Sequence, residues 1–144
     1  MLELHEGGCT CGTIRYQTSG QPLRVTICYC KWCQRRTGTA FAVESVFNID
    51  QVRMLQGSVA RYRQVSDESG RWLLTEFCAN CGANIGFTLE AVPGIRTIAA
   101  GTFDNPEWIS SQKQLFRHVF VRSARDWSEI PKDVEQYEKH FRPQ

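Results

Sequence analysis

Apolar and polar residues alternate along most of this chain in short runs, and helical spacing is rare. Leu2 and Leu4, then Ile14 and Tyr16, alternate with polar neighbours and predict half-buried strands. Leu23 to Cys28 predicts a strand. Lys31 to Thr37 predicts a short helical turn closed by Gly38. Thr39 to Phe47 is apolar and β-leaning. Val52 to Leu55 and Val59 to Val65 predict a strand pair folded around Gln56-Gly57-Ser58. Asp67-Glu68-Ser69-Gly70 is a loop pattern. Trp72 to Phe77 and Ile85 to Leu89 form an expected hairpin, followed by a strand over Ile95 to Ala99, a turn over Gly101 to Pro106 and a strand over Phe116 to Val121. From Pro131 onward, Val134, Tyr137 and Phe141 share one face of a predicted C-terminal helix. The expectation is a mainly β chain of short antiparallel strands ending in a short helix. With no repeat and no linker, residues 1–144 read as a single domain.

Strands this short build a modest core, which directs attention to the cysteines. There are seven, in three clusters: Cys9 and Cys11; Cys28, Cys30 and Cys33; Cys78 and Cys81. The N-terminal residues lack the charged start and apolar centre of a signal peptide, which points to a reducing compartment, the cytoplasm. There, clustered cysteines are metal ligands more often than disulfides, and an odd number cannot all pair internally. Joining Cys9 and Cys11 to Cys78 and Cys81 completes a tetrahedral structural zinc site. Joining the triple cluster to one cysteine of a pair instead strands that cysteine's neighbour.

Cys28, Cys30 and Cys33 offer three ligands, and a zinc held by three keeps a position for substrate. Such a Cys₃ site carries one net negative charge and favours a soft fourth ligand, such as a substrate thiolate. The competing reading is a second structural zinc closed by His118, His5 or a carboxylate. A redox triad would need a reductant system the sequence does not reveal. His118 and Tyr29 are candidate proton donors by residue type; the competing readings are His118 as a hydrogen-bonded strand residue of the fold and Tyr29 as packing with a solvent-reaching hydroxyl. Tyr29, Arg35 and Arg36 are the candidate substrate-binding residues; the two arginines can hold a substrate carboxylate or form a solvated helix pair. Trp32 and Phe41 read first as core. His5 and His140 read as surface residues, and Trp72, Trp108 and Trp127 as core or turn packing.

Around these cysteines the chain resembles the glutathione-dependent formaldehyde-activating enzyme family, which includes the centromere protein V group. The resemblance runs through Gly7-Gly8-Cys9-Thr10-Cys11-Gly12, Cys28-Tyr29-Cys30-Lys31-Trp32-Cys33-Gln34-Arg35-Arg36-Thr37-Gly38, Phe77-Cys78-Ala79-Asn80-Cys81-Gly82, and His118-Val119-Phe120-Val121 with Trp127. It implies a mainly β, Mss4-like (β-tent) fold of zinc-stapled antiparallel sheets. It also implies two zinc ions, a structural one on Cys9, Cys11, Cys78 and Cys81 and a catalytic one on Cys28, Cys30 and Cys33. The implied activity is that of a carbon–sulfur lyase acting on the adduct of a glutathione-like thiol with formaldehyde or another small aldehyde. Many members place His where this chain has Tyr29, so the zinc ligands transfer more directly than the substrate.

Composition narrows the alternatives. The net charge is +2, with no block of one sign and no apolar run of membrane-spanning length, so neither nucleic acid nor a membrane is an expected partner. A methionine sulfoxide reductase would need a further cysteine, and none follows Cys81. A nucleic-acid zinc finger would need a Cys₂His₂ pattern and a basic face. A non-enzymatic zinc domain that binds a protein partner, with both sites structural, remains the alternative to the enzyme. A homodimer is left open.

Overall fold

The computed structural model describes residues 2–66 and 70–140. Among these residues ten strands form two sheets. The small one is antiparallel, with β2 (Arg15–Ser19) between β1 (Leu4–Gly8) and β5 (Val52–Gln56). The large one contains β3 (Arg24–Cys28), β4 (Ala42–Asn48), β6 (Ala60–Val65), β7 (Trp72–Phe77), β8 (Asn84–Leu89), β9 (Val92–Ala99) and β10 (Phe116–Val119). Its order is β10-β3-β4-β9-β8-β7-β6, antiparallel except where β10 runs parallel to β3. Helix α1 spans Lys31–Thr37 and ends at Gly38 in the left-handed conformation, where Gly38 N–H donates to the Gln34 carbonyl. The mainly β expectation therefore holds, with one parallel pair in place of a wholly antiparallel sheet.

Alternation explains which side of each strand is buried. Tyr16 and Thr18 point inward from β2 while Arg15 and Gln17 lie nearer solvent. Tyr16 shares one core with Val25, Ile27, Phe47, Ile85 and Ile98 of the large sheet. His5, expected on the surface, is half-buried, stacked 4.0 Å from Trp108. The sheets are also tied by a bridge from Gly7 to Phe103 and by the Arg15 guanidinium on Asp104, Nη1 to Oδ1 at 2.8 Å.

Two expected elements are replaced. β5 and β6 are not a hairpin: β5 pairs with β2, and β6 pairs with β7. The Gln56-Gly57-Ser58 segment instead carries the chain between sheets, because Val52 and Met54 pack on the shared core. Gly57 suits this crossing, with a φ of +73° and Thr13 O 2.5 Å from where a Cβ would stand.

The C-terminal helix is also absent over 131–140; Phe141 lies outside the described residues, as do Asp67, Glu68 and Ser69 of the predicted loop. From Glu135 to Lys139 the segment lies alongside β10 and Phe120, with one bridge between His118 and Gln136. His118 N–H donates to Glu135 O at 2.9 Å, Tyr137 N–H to His118 O at 2.8 Å and Phe120 N–H to Lys139 O at 2.9 Å. A helix would leave those β10 groups without these partners, and Asp133, at φ 60°, departs from helical geometry. Trp127 lies in a turn and is 70% exposed.

Gly86 leaves no room for a side chain between β8 and β9, with a Cβ there falling 1.8 Å from Thr97 O. Gly86→Ala is expected to destabilise the fold by about 2–3 kcal/mol, read from urea unfolding; wild-type stability would contradict this strand contact.

Candidate metal centres

Cys9 and Cys11 leave β1 on a loop turned by Gly12 at φ +80°. Cys9 N–H donates to Ile14 O, Gly12 N–H to Cys9 O, and Ile14 N–H to Cys9 Sγ at 3.2 Å. The loop between β7 and β8 repeats this arrangement. Cys78 N–H donates to Ala83 O, Gly82 N–H to Cys78 O, and Cys81 N–H to Cys78 Sγ at 3.5 Å. Backbone amides aimed at sulfur favour the thiolate, the form that binds metal.

The two loops converge, and all four sulfurs lie within 4.8 Å of one another. Zinc–sulfur bonds of about 2.3 Å put the edge of a tetrahedron at about 3.8 Å. Cys11 Sγ lies 3.6 Å from Cys9 Sγ and 3.8 Å from Cys78 Sγ, so the donor set fits such an ion. The Thr13 hydroxyl, 2.9 Å from Cys11 Sγ, and Asn80 help draw the Cys11 thiol down to about 5.

The other cluster forms where β3 meets α1. Cys28 ends the strand, Cys30 caps the helix and Cys33 lies in its first turn. Cys33 N–H donates to Cys30 Sγ at 3.2 Å. These three sulfurs also lie within 4.8 Å of one another, and no fourth His, Cys, Asp or Glu among the described residues joins them. Neither His118 nor His5 closes the group.

Without a cation, three crowded sulfurs cannot all ionise. Hydrogen bonds from Cys28 and Cys33 draw Cys30 down to about 3. Its own bonds to Cys30 and Cys33, with burial, push Cys28 well above the usual thiol range. Cys33 is pulled down by Cys28, but Cys30 and burial outweigh that and push it up to about 12. A divalent ion would stabilise all three as thiolates, displacing the remaining protons.

Tyr29 stands between two of these cysteines, and its hydroxyl lies 2.9 Å from His118 Nδ1. The hydroxyl does not reach solvent, since Tyr29 is buried. Burial lowers the His118 pKa and raises that of Tyr29, so both are neutral near pH 7. Phe41 packs tilted on Tyr29, with ring centres 5.4 Å apart. Arg35 is exposed on α1, whereas Arg36 is turned inward onto Glu44, with Nη2 2.6 Å from Oε1. The two arginines, read from the sequence together as holders of a substrate carboxylate or as a solvated pair, thus lie in different environments.

Two contributors escaped sequence reasoning. Gln34 is buried, donating to Tyr29 O at 2.6 Å and Ser123 O at 3.0 Å and accepting from Arg125 Nε at 2.6 Å, which locks α1 beside β3. Glu44 is the other, and its signal was a lone carboxylate inside the apolar run Phe41 to Phe47.

The profile of the family described as glutathione-dependent formaldehyde-activating enzyme matches residues 4–122. The chain belongs to that family. Among solved structures, a Rhodobacter sphaeroides protein is similar in fold, with a TM-score of 0.55 and 20% identity over 72% of this chain and 94% of that one. The two folded sheets match the Mss4-like, β-tent expectation. No helix among the described residues is long and apolar enough to cross a membrane.

Cys78→Ser is expected to cost several kcal/mol of stability because it opens the inter-sheet site, whereas Cys30→Ser should stay folded with one metal ion fewer. Thermal melts with metal analysis check this; equal unfolding of both variants would contradict the division of roles. Metal affinity at the three-cysteine cluster should fall steadily as pH is lowered from the alkaline range through neutrality, because protons on Cys28 and Cys33 compete with the ion. Chelator competition across pH reads this, and a flat profile would contradict it.

Proposed function

We propose that the protein is a zinc-dependent carbon–sulfur lyase acting on the adduct of a glutathione-like thiol with formaldehyde or another small aldehyde. The observation that carries this reading is the contrast between a cluster of four cysteines and a cluster of three with no fourth ligand among the described residues. Family membership supports the thiol and aldehyde class. Cys9, Cys11, Cys78 and Cys81 would hold a structural zinc, and Cys28, Cys30 and Cys33 a catalytic one. Zinc bound at the three-cysteine cluster would supply a Lewis-acidic position that keeps an incoming thiol as thiolate.

In the synthetic direction the thiol sulfur bonds to the aldehyde carbon. The carbonyl π pair moves to oxygen, which takes up a proton to give an S-hydroxyalkyl adduct. In reverse, the hydroxyl loses its proton and the carbon–sulfur bond breaks to regenerate thiolate and aldehyde. Tyr29 and His118 are assigned to this proton. Their direct hydrogen bond and neutral states suit a hydroxyl that donates and an imidazole that restores the proton. Holding both reactants beside these groups supplies proximity as well.

Arg35 is assigned to a carboxylate of the thiol substrate, because it is exposed on the helix that carries Cys33. Arg36 is not, because its guanidinium is held by Glu44. Small molecules in the cytoplasm are the expected partners.

The uncatalysed adduct forms on its own, so the test is magnetisation-exchange NMR on glutathione, formaldehyde and their adduct. The wild type should accelerate exchange, Cys30→Ser should abolish the acceleration, and His118→Asn should reduce it about 100-fold. Absence of acceleration by the fully metal-loaded wild type would overturn the lyase reading in favour of a zinc-held interaction domain.

A further inference from the structure

Arg36 reaches from α1 to the large sheet, and its side chain is only 9% exposed beside Glu44 of β4 at 2%. Its Nη2 is shared between Glu44 Oε1 at 2.6 Å and Cys33 Sγ at 3.9 Å. The guanidinium carbon lies 5.1 Å from the centre of the Phe87 ring. Arg36 Nη1 and Glu44 Oε2 are both buried without a hydrogen-bond partner among the described residues.

A purely structural arginine–carboxylate pair would use both arms of the guanidinium fork on both carboxylate oxygens. This pair leaves one arm and one oxygen unused and turns the other arm toward a cysteine sulfur. The four-cysteine cluster is supported differently, with sulfurs facing the Thr13 hydroxyl and backbone amides. A formal positive charge beside Cys33 changes the field at the three-cysteine cluster, whereas a neutral donor chiefly orients its sulfur.

We propose that Arg36 and Glu44 are a positioning pair for the three-cysteine centre: Arg36 fixes the Cys33 sulfur and offsets the cluster's negative charge, and Glu44 sets how much of that charge the cluster feels. The inference rests on the metal-binding part of the functional reading. It assigns Arg36 to the metal centre rather than to a substrate carboxylate, and gives Glu44 an electrostatic role beyond anchoring α1.

The two side chains then push metal affinity in opposite directions, whereas a scaffold role would make both losses act alike. Arg36→Met alone would leave a buried, unpaired carboxylate, a change that strongly destabilises a fold. The comparison is therefore between Glu44→Gln, which keeps the shape and frees the arginine charge, and the double variant Arg36→Met with Glu44→Gln, which removes both charges. The readout is zinc affinity at each cluster of the full chain, by competition with a chromophoric chelator. Glu44→Gln should tighten zinc at the three-cysteine cluster. The double variant should weaken it there by about 10- to 100-fold relative to Glu44→Gln, with the four-cysteine affinity unchanged in both. Equal shifts at both clusters, a double variant that binds zinc at the three-cysteine cluster as tightly as Glu44→Gln or more tightly, or no shift would overturn the proposal. A wild type that binds a single zinc, at the four-cysteine cluster alone, would overturn the metal reading beneath it as well.

Discussion

The convergence of Cys9 and Cys11 with Cys78 and Cys81 is the contact on which the arrangement depends. One pair sits between two strands of the small sheet, the other between two strands of the large one, and Cys11 and Cys78 are 67 residues apart in sequence. The Gly7 to Phe103 bridge, the Arg15 to Asp104 ion pair and one shared core of short strands accompany this junction. Exposed ion pairs contribute little net stability. A metal-thiolate junction, by contrast, converts binding free energy into folding free energy and closes a loop that would otherwise carry a large entropic cost.

The three-cysteine cluster sits within the frame that this junction holds. Its ligands come from a strand end and the helix that follows, so they are close through local structure alone. Packing then sets what surrounds them. Gln34 locks the helix to the Tyr29 carbonyl, Arg36 reaches Glu44, and the Tyr29 hydroxyl meets His118 on β10. β10 is itself held between β3 on one edge and the C-terminal segment on the other. The arrangement thus places four cysteines where two sheets meet and three where a strand passes into a helix.

Much of this was legible in the sequence because it is local. Cysteine spacing announces metal ligation, alternation announces strands, and Lys31 to Thr37 with Gly38 after it carries its own helix stop. What was not legible is long-range. The chain between β5 and β6 looks like a hairpin turn, yet each strand finds its partner elsewhere, since only the three-dimensional core selects the sheet. The C-terminal residues have helical periodicity, but unpaired groups on β10 bind them alongside that strand. Tyr29 and His118 are 89 residues apart, so nothing local joins them. Arg35 and Arg36 look equivalent in sequence, and a single buried carboxylate on β4 separates their environments.

The most direct test of the division into a closed and an incomplete centre is zinc X-ray absorption on the fully loaded protein, with and without glutathione. The account predicts a nitrogen or oxygen contribution to the average zinc shell that is replaced by sulfur when the thiol is added. An all-sulfur shell at the outset, unchanged by glutathione, would contradict it.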